Sequence, residues 1–91
     1  MADAQEWHPD PNSRIYVYVQ IAEHIIEDIR AKRLTVGSRL ASEPDLSEEY
    51  GVAINTLRRA IRELRERGIV ETVTSKGTFV IADPDTVTAA E

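Results

Sequence analysis

The stretch Ser42-Glu43-Pro44-Asp45-Leu46-Ser47-Glu48-Glu49-Tyr50-Gly51-Val52-Ala53-Ile54-Asn55-Thr56-Leu57-Arg58-Arg59-Ala60-Ile61-Arg62-Glu63-Leu64-Arg65-Glu66-Arg67-Gly68 decides the fold. Ser42 is a side chain that caps a helix start, and Asp45, three positions on, can reach back to it in a variant of the capping box. Glu43 and Asp45 suit the positive end of the helix dipole. Pro44 costs little in a first turn whose amides have no helical partner. These residues predict a short helix running to about Tyr50. Gly51 stops it, because glycine takes the left-handed conformation that a tight stop needs. Beyond it, Leu57, Ala60, Ile61 and Leu64 recur at helical steps and predict a second helix over residues 54–67, closed by Gly68. Its outer faces carry Arg58, Arg59, Arg62 and Arg65. Two short helices joined by a glycine have the spacing of a helix-turn-helix.

The flanks extend the pattern. Upstream, from Ile15, the residues Tyr18, Ile21, Ile25 and Ile29 recur at steps of three and four, with Glu23, Glu27, Asp28 and Arg30 on other faces. They predict a longer helix that gives way to a turn at Thr35-Val36-Gly37. Downstream, residues 69–74 and 78–82 are β-branched runs separated by Ser75-Lys76-Gly77, which reads as a hairpin with a short glycine turn. The fold class expected is α+β: a winged helix-turn-helix of three helices followed by a two-stranded β-hairpin wing, over residues 15–82. Residues 1–14 are polar and acidic, with Pro9, Pro11 and a lone Trp7, and read as a flexible arm. Residues 83–91 read as a polar tail.

Composition excludes several functions. A chain of 91 residues builds one modest core but no lidded substrate cavity. Without cysteine it has no disulfide, thiolate metal site or cysteine nucleophile. No apolar run approaches the ~18 residues of a membrane span. The acidic start resembles no secretory signal, so a cytoplasmic location is expected. The serines and carboxylates have no histidine partner in a catalytic order, so the chain is not expected to be an enzyme. His8 and His24 stand apart without further ligands, and no metal or other cofactor is expected. The segment after the wing, residues 83–91, is too short to enclose a metabolite, since ligand pockets run to ~300 Å³ or more. No small-molecule effector domain is therefore expected in this chain, which is either a fragment of a longer chain or a stand-alone module.

The net charge of −5 argues against a polyanion partner. Yet residues 54–67 hold five arginines against Glu63 and Glu66, a local excess of three positive charges. Phosphate attraction acts within a Debye length of ~8–10 Å, so the distribution outweighs the sum. A helix fits the ~12 Å major groove of B-DNA, and a following hairpin can lie along the backbone or enter the minor groove.

Tyr18-Val19-Gln20-Ile21, Val36-Gly37-Ser38-Arg39-Leu40, Ser42-Glu43, Leu46-Ser47, Tyr50-Gly51-Val52, Thr56-Leu57-Arg58-Arg59-Ala60, Leu64 with Gly68, and Gly77-Thr78-Phe79-Val80 together resemble the N-terminal DNA-binding domain of the GntR family of bacterial regulators. The resemblance covers residues 16–82 in order and spacing. It implies a transcriptional regulator, a repressor rather than an activator, that binds double-stranded DNA as a homodimer. It also implies that Asn55, Thr56 and Arg58 contact DNA from the recognition helix and that the wing tip, residues 74–77, approaches the minor groove. The sequence departs from the family pattern at Ala41, where a proline is usual, and at Pro44, where an arginine often reaches DNA. It departs again at Ala53-Ile54, where a capping hydroxyl and a polar or basic residue are usual, and at Ser75, where the wing has its first glycine.

The candidate interface is thus Asn55, Thr56 and Arg58 for base reading, with Arg59, Arg62 and Lys76 on phosphate and Gly77 in the wing. Arg59–Glu63 and Arg62–Glu66 have the i,i+4 spacing of helix ion pairs, so these two arginines are equally explained as a solvated face. Arg58 has no acid at either helical step. Arg67 is placed to cap the carbonyls at the helix end. Tyr50 reads as core. The rival reading from another class is a winged helix used as a protein-interaction module, its acidic body meeting a basic partner.

Overall fold

The computed structural model of the protein describes residues 7–85; the outer parts of the expected arm and tail, 1–6 and 86–91, lie outside the described residues. Three helices come first, α1 (Val17–Arg30), α2 (Glu43–Tyr50) and α3 (Ile54–Glu66), then strands β1 (Val70–Val73) and β2 (Gly77–Val80). This is the α+β winged helix-turn-helix that the residue pattern predicts.

The first helix buries Ile21, Ala22, Ile25, Ile26 and Ile29, two neighbouring columns at helical spacing. They face the inner stripe of α3, where Leu57, Ala60, Ile61 and Leu64 are at most 1% exposed. Each buried leucine or isoleucine here contributes about 1.5–3 kcal/mol relative to an exposed one. Leu40, Leu46, Tyr50, Ile69, Val70 and Val80 complete the core. Tyr50 is a core residue as expected; burial pushes its phenol above the ordinary tyrosine value, with the Glu49 and Asp28 charges adding to the rise.

The first helix begins at Val17 rather than Ile15. Gln20 accounts for the later start: its Nε2 donates to the Ile15 carbonyl at 2.8 Å and to the Asp10 carbonyl at 2.9 Å, while its Oε1 accepts from the Asp10 amide at 2.8 Å. The chain before Val17 is thereby bound to the first turn instead of continuing it. Residues 7–14, expected as a loose arm, are folded back on the body. Trp7 stacks on His24 with ring centroids 4.1 Å apart and meets Tyr50 edge-on at 5.5 Å.

The same helix ends at Arg30, ahead of the turn expected at Thr35-Val36-Gly37. Lys32 takes a left-handed φ of 68°. The Arg33 amide then donates to the Asp28 carbonyl at 2.8 Å and the Lys32 amide to the Ile29 carbonyl at 3.1 Å, the two bonds of a Schellman stop. The Arg33 guanidinium on the Asp28 carboxylate at 2.8 Å fastens it.

The second helix is capped as its sequence predicts, with Ser42 Oγ accepting from the Asp45 amide at 3.2 Å. The return half of the box is not made, for the Asp45 carboxylate accepts no hydrogen bond among the described residues. Gly51 stops the helix in the left-handed region at φ 70°. The third helix starts on Ala53, which has no side-chain acceptor, so Asn55 lies inside the helix.

In the hairpin Val70 pairs with Val80, Glu71 with Phe79, Thr72 with Thr78 and Val73 with Gly77. The glycine expected in the turn therefore opens β2, and the tip is Thr74-Ser75-Lys76, with Ser75 in the left-handed region at φ 66°. The segment before α2 adds an edge that the periodicity did not predict. Arg39 bridges Phe79, the Leu40 amide donates to the Thr78 carbonyl at 2.8 Å, and the Val80 amide to the Ser38 carbonyl at 2.9 Å. The wing is thus fixed from both sides of the helix-turn-helix.

Candidate nucleic-acid interface

On α3 the exposed residues at steps of three and four are Asn55, Arg58, Arg62 and Arg65, opposite the buried stripe. With Glu43 of α2 they rim one shallow depression. Glu43 also borders a second, open cleft of about 560 Å³ between the start of α2 and the wing, lined on the wing side by Arg39, Thr72, Ser75, Gly77 and Thr78. The two depressions form one continuous surface running from Asn55 to the wing tip.

Each arginine is set differently. The Arg58 Nε donates to Glu43 Oε1 at 3.0 Å, a partner 15 residues away that no helical step could reveal. Its side chain is 59% exposed. A pair this exposed contributes at most about 1 kcal/mol, so a better acceptor can displace it. Arg59 does not pair with Glu63; its guanidinium lies over the Tyr18 ring, 4.2 Å from the centroid, on the flank facing α1. Arg62 makes no ion pair among the described residues, and its expected partner Glu66 makes none either. Arg65 Nη1 donates to Thr72 Oγ1 at 3.1 Å, and that hydroxyl lies 2.9 Å from Thr78 Oγ1, a polar link from helix to wing. Arg67 is no carbonyl cap: still helical in φ and ψ, it stands one turn beyond Glu63 and pairs with it at 3.0 Å and with Glu23 of α1 at 3.4 Å.

Of the expected interface residues, Asn55, Arg58 and Arg62 come together on one face; half-buried Gly77 lines the adjoining cleft, and exposed Lys76 stands beside it on the wing tip. Thr56 is half-buried and about 100° round the helix from Asn55, toward the Arg59 flank. Arg39, Glu43 and Arg65 belong to the same surface and were missed. For Arg39 the available signal was its place in Val36-Gly37-Ser38-Arg39-Leu40, a run that ends in a buried leucine. Glu43 reads from the sequence as a dipole partner and as part of the Ser42-Glu43 pair of the family pattern, neither of which points to Arg58. Among the described residues no three histidines or carboxylates gather as a metal site requires, and no helix is long and apolar enough to cross a membrane.

Residues 17–80 match the family described as bacterial regulatory proteins, gntR family. The chain belongs to that family. Among gntR-type relatives, the transcriptional regulator SmoD of Agrobacterium fabrum is 40% identical over 75 residues, which cover 80% of this chain and 32% of SmoD. The mannosyl-D-glycerate transport/metabolism system repressor MngR of Escherichia coli is 41% identical over 64 residues, covering 70% of this chain and 27% of MngR. The chain therefore spans about a third or less of these relatives. The crystal structure of the AraR DNA-binding domain in complex with operator ORX1 superposes with a TM-score of 0.72 at 28% identity, over 81% of this chain and 98% of that one. For this gntR-family winged helix, the surface from Asn55 to Lys76 is the candidate interface.

Proposed function

We propose that this gntR-family chain binds double-stranded DNA sequence-specifically, as a cytoplasmic transcriptional regulator and a repressor rather than an activator. The observation that carries the reading is the two-sided third helix. Its inner stripe is sealed in the core while Asn55, Arg58, Arg62 and Arg65 stand on the outer face, continuous with the wing. A helix so held can enter the major groove without unfolding anything. Asn55, Thr56 and Arg58 read base edges; Arg59, Arg62 and Lys76 take phosphates and fix the register. Asparagine suits the adenine edge and arginine the guanine edge. Gly77 opens the wing strand beside the tip that carries Lys76. The operator complex of the AraR domain supports the mode of binding, and the name of MngR supports repression. The net charge of −5 is compatible with this reading because most of the acids lie elsewhere, on α1, the rest of α2 and the termini; of the two that border the surface, Glu43 and Asp45, Glu43 is paired with Arg58.

Two domains on a two-fold operator complete the proposal, with half-sites about one turn, ~34 Å, apart or closer. Selection of duplexes from a random pool tests it. Recovery of a two-fold motif is the expected result, and Arg58→Ala should cost about 1–3 kcal/mol while relaxing preference at one base pair per half-site. A pool that stays random, or a variant with the parent's preferences, would contradict it.

A further inference from the structure

We infer that Arg39, on the edge segment beside the wing, is both the residue that positions the wing tip and a phosphate contact in its own right. This rests on the DNA-binding reading above. The backbone of Arg39 is fixed to the wing by the bonds on either side of it, Leu40 to Thr78 and Val80 to Ser38. Its aliphatic stem crosses Gly77 so closely that a Cβ there would lie 2.9 Å from the Arg39 Cδ. Glycine at 77 therefore does more than supply the φ of 123°: it leaves the channel through which the arginine passes. At the end of that channel, Nη1 donates to the Lys76 carbonyl at 3.3 Å, tying the guanidinium to the tip.

A guanidinium has five N–H donors, and the Lys76 carbonyl uses one. Arg39 makes no ion pair with any carboxylate among the described residues, in contrast to Arg58 and Arg67. It is exposed and borders the cleft between the start of α2 and the wing. The side chain is thus charged, unneutralised and already ordered, so binding an anion there costs little further freedom. The anion that fits is a phosphate of the duplex backbone passing between recognition helix and wing, which an arginine fork grips in two places.

The test is binding of the full chain to a generic duplex across salt concentration, by fluorescence anisotropy, with a thermal melt of each variant. Arg39→Met keeps the stem over Gly77 and removes the charge. Its log–log salt slope should be about 0.9 shallower than the parent's, so that between 50 and 200 mM salt the parent loses about 3.5-fold more affinity than the variant. Arg39→Lys should restore the slope, because it returns the charge; a role in wing packing alone would not separate methionine from lysine. A steep parent slope left unchanged by Arg39→Met would overturn the phosphate contact while sparing the function proposed above. A parent without salt-dependent binding would overturn both.

Discussion

At the start of α2, Ser42 accepts from the Asp45 amide, and Glu43 and Asp45 place negative charge on the positive end of the helix. At the start of α3, Ala53 offers no acceptor and the first turn holds no acid. The two helices of the turn are secured by different means. The shorter one buries only Leu46 and Tyr50, and local capping supplies what packing does not. The longer one buries Leu57, Ala60, Ile61 and Leu64 against α1. Tertiary burial of an apolar stripe outweighs one missing cap, since most helix stability in proteins comes from such packing. The helix that carries the candidate reading residues is therefore fixed mainly from behind, and its solvent face holds only the exposed contacts of Arg58 with Glu43 and Arg65 with Thr72.

Burial should dominate. Leu57→Ala, at a site with no exposed surface, should destabilise the domain by about 2–5 kcal/mol in urea unfolding. A loss under 1 kcal/mol would mean that α3 is not anchored by its inner stripe. Capping gives the smaller, opposite pair of effects. Ser42→Ala should cost about 0.5–2 kcal/mol, and Ala53→Ser should add up to a similar amount, because only the second site lacks an acceptor now. Equal losses at both sites would erase the contrast between the helices.

How much was legible follows from what lies close in sequence. Ser42, Gly51 and the apolar steps of α3 act within one or two turns, so the residue pattern located α2, α3 and the core they share. The ion pair of Arg58 with Glu43 and the passage of Arg39 over Gly77 join residues 15 and 38 positions apart, and no periodicity records them. The turn of the wing ends one residue earlier than the pattern suggests because glycine, free to take a φ of 123°, can open β2 as readily as it closes a turn. Residues 7–14 looked loose because prolines and acids hide a single large anchor, Trp7, whose stacking partner His24 lies in α1.

Fluorescence-anisotropy titration of the unmodified chain with a generic duplex from 50 to 200 mM salt addresses the central claim most directly. If Arg39, Arg59, Arg62 and Lys76 each neutralise a phosphate, log affinity should fall with log salt at a slope of about −3.6. A slope near zero, or no binding at 50 mM salt, would contradict the claim that this surface exists to hold DNA.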